Sequence, residues 1–142
     1  MNAKNYLQQA FFLNQRINDS LEDLKVLREK AVSIGSVDTT KEKIQSGKVS
    51  DIVGESVPAI IDLDFEINTN IDIYRSKKRE IESTIDEVGD CKIRAVLLKR
   101  YIHFHEWDDI AESLNKTVQR VYQLHRDGLC EIAKIIVNYS KL

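Results

Sequence analysis

Proline occurs once in this 142-residue chain, and glycine five times. So few backbone breakers leave little material for the turns of a many-stranded fold, and they favour long helices. No apolar run approaches the ~18 residues that a membrane span requires. The two cysteines, Cys91 and Cys130, have no CxxC spacing. They point to neither a redox motif nor a paired zinc site, and read as reduced core thiols. The opening MNAKNYLQQAFF lacks the basic-then-apolar layout of a secretory signal, so a cytoplasmic location is expected. A strong charge is missing as well, since the formal net charge is −2.

What is present suits a soluble, folded protein. Charged residues make up 31% and hydrophobic ones 42%, well away from disordered compositions. The near-neutral balance hides a split. Residues 89–142 hold nine Lys/Arg and seven Asp/Glu, which gives +2. The remaining 12 basic and 16 acidic residues give −4 to residues 1–88. Any surface for nucleic acid is expected in the second part.

Residues 3–33 carry a heptad seam: Tyr6, Ala10, Leu13, Ile17, Ser20, Leu24, Leu27, Ala31 and Ile34, at alternating steps of four and three. Leu7, Phe11 and Leu21 widen the stripe. Residues 35–57 are polar and punctuated by Gly35, Gly47 and Gly54, and read as an irregular connector. A second long helix is predicted over 58–88, with Ser56 as N-cap and Pro58 in its first turn. Its seam runs Ile60, Asp64, Ile67, Ile71, Tyr74, Lys78, Ile81, Ile85 and Val88, and Val88-Gly89-Asp90 closes it. Matching seams suggest an antiparallel helical hairpin over 1–88. From 89 to 142 the pattern changes to three closely connected helices: Cys91 to about His103, Trp107 to Leu114, and Val118 to about Tyr139. The expected fold is therefore all-α, a long coiled-coil-like hairpin followed by a three-helix module.

Function is read from WDDIAESLNKTVQRVYQLHRDGL, residues 107–129. Ile110, Ala111 and Leu114 line one face of a short helix, and the small Ala111 allows a close crossing. Asn115-Lys116 makes a tight turn, because asparagine tolerates a left-handed backbone. Thr117 is a good N-cap for the next helix, and Val121 and Leu124 face back into the core. This is the layout of a helix-turn-helix. The outward residues would then be the DNA-binding ones: Lys116, Thr117, Val118, Gln119, Arg120, Tyr122, Gln123 and Arg126. Glutamine pairs with adenine, arginine with guanine, and Val118 suits a thymine methyl. Lys116 and Arg126 are placed for phosphates. No Asp or Glu lies between Lys116 and Arg126, although the chain is acidic overall.

Arg94-Ala-Val-Leu-Leu-Lys-Arg-Tyr, then Trp107-Asp-Asp-Ile-Ala-Glu-Ser-Leu, then Thr117 with Val121 and Leu124, resemble region four of sigma-70-type factors. The segments AKNYLQQAFFLNQRINDSLEDLKVLREKA and IIDLDFEINTNIDIYRSKKREIESTIDEV are similar to small phage and prophage regulators of the ArpU and RinA type. The resemblance implies a DNA-binding activator of phage late genes in a bacterial host cell. Host RNA polymerase, or a second copy joined through the long helices, would be its protein partner. Asn115 stands where that turn usually has glycine. The core-polymerase-binding and minus-ten-reading regions of a complete sigma factor are missing from the sequence.

Other chemistry finds little support. His103-x-His105 is a single pair, and a zinc site normally joins two. Asp108 and Asp109 point in different directions and suit the positive end of their own helix. No nucleophile or phosphate loop accompanies them, so neither an enzyme nor a cofactor is expected. Trp107 reads as a core anchor of the three-helix module. Two other roles fit the same parts: the DNA-recognition subunit of a phage packaging terminase, and a helical adaptor that binds protein alone.

Overall fold

The computed structural model describes residues 2–35 and 46–141, with side chains at 2–32 and 56–141. It is all-α, as expected, with no strand among the described residues. The order is α1 (Ala3–Gly35), α2 (Ser46–Asp86), α3 (Cys91–Leu97), a π-helical turn (Leu98–Ile102), α4 (Trp107–Leu114) and α5 (Val118–Ser140). Two compact units form. One joins residues 1–14 to residues 74–142, and the other is residues 15–73.

In the unit of residues 15–73, the seam positions Ile17, Leu24 and Ile67 are buried. Leu27, Ala31, Ile60, Leu63 and Ile71 are half-buried beside them. Arg28 pairs with Asp64 at 3.9 Å. Both side chains are largely solvated, so the pair adds little stability.

The irregular connector expected over 35–57 needs correction. Helix α2 already begins at Ser46, so residues 46–57 are helical and Pro58 lies inside the helix. Ser56 is a buried interior residue and not an N-cap. Proline's fixed φ is itself helical. The ring therefore removes one hydrogen bond, to the carbonyl four residues back, without ending the helix. The part of the expected connector at 36–45 lies outside the described residues.

In the other unit, one core gathers the start of α1, the end of α2 and everything after it. Ala3, Leu7 and Ala10 join Ile81, Ile85 and Val88. Val96 and Leu97 of α3, Ile110 of α4, and Val121, Leu124 and Ile132 of α5 belong to the same cluster. The Tyr6 hydroxyl donates to Glu80 Oε2 at 3.1 Å and lies 3.0 Å from Thr84 Oγ1. The boundary expected at 88/89 thus falls inside a continuous core.

Local chemistry sets the corners of this unit. Asp90 caps α3, its Oδ1 accepting from the Lys92 amide at 2.8 Å. The Arg94 guanidinium donates to the Val88 carbonyl at 2.7 Å and braces the bend between α2 and α3. Gly128 lets α5 pass close to α3. A Cβ there would meet Ile93 Cγ2 at 2.9 Å and Leu97 Cδ1 at 3.0 Å.

Candidate nucleic-acid interface

Helices α4 and α5 are joined by a turn that their own sequence dictates. Asn115 ends α4 in the left-handed conformation, with φ 56° and ψ 47°, where asparagine is tolerated. The Lys116 amide then donates to the Ala111 carbonyl at 2.9 Å, which also accepts from the Asn115 amide, and so the last turn is closed. Thr117 caps α5, its Oγ1 accepting from the Arg120 amide at 3.1 Å. Ile110 and Ala111 are buried on α4, and Val121 and Leu124 on α5. The expected bounds of these two helices, Trp107 to Leu114 and Val118 to about Tyr139, agree with the structure.

The eight singled-out residues occupy the turn and the first three turns of α5. Gln119, Tyr122, Gln123 and Arg126 lie at positions i, i+3, i+4 and i+7 of the helix, so they share a face. With His125 they line a shallow concavity of about 480 Å³. Arg120 lies to one side and donates to Gln123 Oε1 at 3.2 Å. Thr117 is exposed and Lys116 half-buried. Val118 stands apart, because it is half-buried and packs against the core. Its side chain offers less to a ligand than the sequence suggested.

Beneath this face lies an aromatic cluster that sequence reasoning found only in part. Trp107, at the first position of α4, is half-buried against the core. Its ring meets Tyr122 edge-on at 5.3 Å and His125 at 4.6 Å. The Arg100 guanidinium covers it at 4.5 Å. Tyr122, exposed on the outer face, is thus seated on a buried support.

His125 is buried, stacks on Tyr101 and shares a hydrogen bond with its hydroxyl through Nε2. Burial pushes its imidazole down to about 4, and the positive charges of Lys4 and Arg100 add to the effect. The Tyr101 hydroxyl is pushed by burial up to about 12. Both groups are therefore neutral near pH 7, so the floor of the concavity carries no charge. The charge of the surface belongs to Lys116, Arg120 and Arg126. Nothing in the spacing of His125 distinguished it from a solvated residue except its position one after Leu124.

The loop before α4 carries a second feature absent from the sequence reading. Phe104 has φ 59°, in the left-handed region, which is uncommon for a bulky residue. Its ring meets Phe11 of α1 edge-on at 5.6 Å. Arg100 donates to the His105 carbonyl at 3.0 Å and closes the loop from the other side. The π-helical turn Leu98–Ile102 immediately precedes it. Such turns recur near functional sites.

Cys91 and Cys130 are both exposed and unpaired with each other, which corrects their reading as core thiols. Cys91 opens α3 just after its cap, and Cys130 falls on the outer side of α5. Neither position faces the apolar cluster.

Comparison with known proteins adds one finding. Residues 33–133 match a family model described as "Protein of unknown function (DUF1492)". No curated protein and no solved structure matches the chain.

Proposed function

We propose that this chain, which belongs to the DUF1492 family, binds duplex DNA in a sequence-specific way through α5 and regulates transcription. The observation that carries the proposal is the outward face of the first three turns of α5. It presents Gln119, Arg120, Tyr122, Gln123 and Arg126 together, after a tight left-handed turn and a threonine cap. A helix so entered reads base edges in the major groove with its first turns. Its N-terminal amides, and Lys116 beside them, favour phosphate. No carboxylate interrupts residues 116–126, so the face does not repel the duplex.

The finer reading follows the resemblance to phage regulators: an activator of late genes, acting inside a bacterial host cell. Footprinting on the genome that encodes the protein tests this. Protected sites upstream of late genes are expected. Arg120→Ala should weaken binding to such a site by ~1–3 kcal/mol and relax the preference at one base position. An equal loss on every sequence would reduce Arg120 to a phosphate contact. No salt-dependent DNA binding by the wild type would remove the proposal.

A further inference from the structure

Residues 49–74 contain six acids, Asp51, Glu55, Asp62, Asp64, Glu66 and Asp72, and no lysine or arginine. The whole segment is helical, within α2. Inside it, Val57, Ile61 and Phe65 recur at steps of four and so lie along one side of the helix. They are 45%, 62% and 74% exposed. Ile60, Leu63, Ile67 and Ile71 occupy a different side and are buried or half-buried. The exposed stripe starts beside that side at Val57 and runs away from it through Ile61 to Phe65, with exposure rising along it.

One border is acidic. Asp62 and Glu66 follow the stripe residues around the helix, and Asp72 continues the line seven positions after Phe65. All three are exposed. Asp64, on the other flank, meets Arg28. Carboxylates around a water-exposed apolar stripe repel DNA and anionic lipid. They also repel a second copy that arrives through the same face, because like-charged rows would be brought together. The complementary occupant pairs apolar side chains with positive charge. A helix with both properties lays its apolar face along such a stripe and its cations along the rim.

We propose that the Val57–Ile61–Phe65 stripe of α2 is a docking surface for a lysine- or arginine-rich amphipathic helix of another protein. The proposal does not depend on DNA binding by α5, and it places the protein-binding and DNA-binding chemistries on surfaces of opposite sign.

The test uses the full-length chain and a labelled synthetic helix of leucine and lysine, with leucines at helical spacing. A counterpart with glutamate in place of lysine is the control. Anisotropy should show salt-sensitive binding of the lysine peptide. It should weaken at least tenfold in Ile61→Ser/Phe65→Ser, and by a similar factor in the near-isosteric Asp62→Asn/Glu66→Gln. Asp19→Asn/Asp23→Asn, which removes exposed acids of α1, should leave it unchanged. Circular dichroism should find the helices intact in all variants, since every position changed is exposed. Equal affinity across the variants, or equal binding of the glutamate peptide, would overturn the proposal. So would sedimentation showing self-association of the wild type that Phe65→Ser abolishes, because the stripe would then belong to a second copy.

Discussion

The Arg100 guanidinium carbon sits over Trp107, 4.5 Å from the centre of its ring. The same group donates to the His105 carbonyl, so one side chain holds the end of the π-helical turn, the following loop and the first residue of α4. Cation–π contacts of this kind contribute ~0.5–2 kcal/mol. Arg100→Ala should lower stability by about 1–2 kcal/mol, and Arg100→Lys by less, since lysine keeps charge but loses the planar fork. Trp107 is the only tryptophan, so its fluorescence reports the site directly. A red-shifted emission in Arg100→Ala is expected. Emission and unfolding midpoint identical to wild type would show that the contact does not hold the loop.

Gly128→Ala sets two effects against each other. Alanine favours a helix interior over glycine by about 1 kcal/mol. The new methyl would lie 2.9 Å from Ile93 Cγ2 and 3.0 Å from Leu97 Cδ1, both on buried residues. Overpacking a core typically costs ~1–3 kcal/mol. The expected result is a net loss of stability, measured as a lower denaturant midpoint. A raised midpoint would mean that α3 yields easily to α5.

Acid should weaken the unit that contains His125. Its imidazole is pushed down to about 4 by burial, whereas the unfolded chain takes up that proton near the ordinary value of ~6.5. Stability from the neutral form is complete above about pH 6.5 and is lost as pH falls toward 4. Unfolding midpoints at pH 7 and pH 5 measure it. His125→Gln, which cannot titrate, should lose less between those two values. An unchanged pH dependence in the variant would assign the loss to other groups.

A fragment of residues 89–142 should fold poorly by itself. Ala3, Leu7, Ala10, Ile81, Ile85 and Val88 share its core, and removing them exposes the apolar side they cover. A fragment of that size is already near the limit for a single core. Chemical-shift dispersion or a cooperative melt checks this. A sharp transition near that of the full chain would show that α1 and α2 contribute nothing to this core.

The sequence made the last three helices legible almost to the residue, because caps and turn chemistry mark their ends. Asn115, Thr117 and the buried pair Val121 and Leu124 carry their roles in their residue types. The start of α2 was not legible. Gly47, Gly54 and Pro58 are local breakers, and their number outweighed a periodicity that continues through them. The outward face of α5 could be read from helical spacing, but its foundation could not. The close approach at Gly128, the burial of His125 and the left-handed Phe104 all depend on neighbours distant in sequence. The cysteines were misjudged for a related reason. Composition favours burying a thiol, yet Cys91 and Cys130 are exposed, while Ile93 and Ile132 in the same helices are buried.

The shared core of residues 1–14 and 74–142 also fixes an order of events during synthesis. Leu7 is made before its buried partners Ile81 and Ile85, which emerge only after the whole of residues 15–73, and α5 follows them. Joining such distant segments costs loop-closure entropy before any contact rewards it. The amphipathic start of α1 must therefore wait on the ribosome with its apolar side unfilled. This is the interval in which a nascent chain is open to chaperones or to mispairing. Chains stalled before Trp107 should leave that segment sensitive to protease, and extension through α5 should protect it.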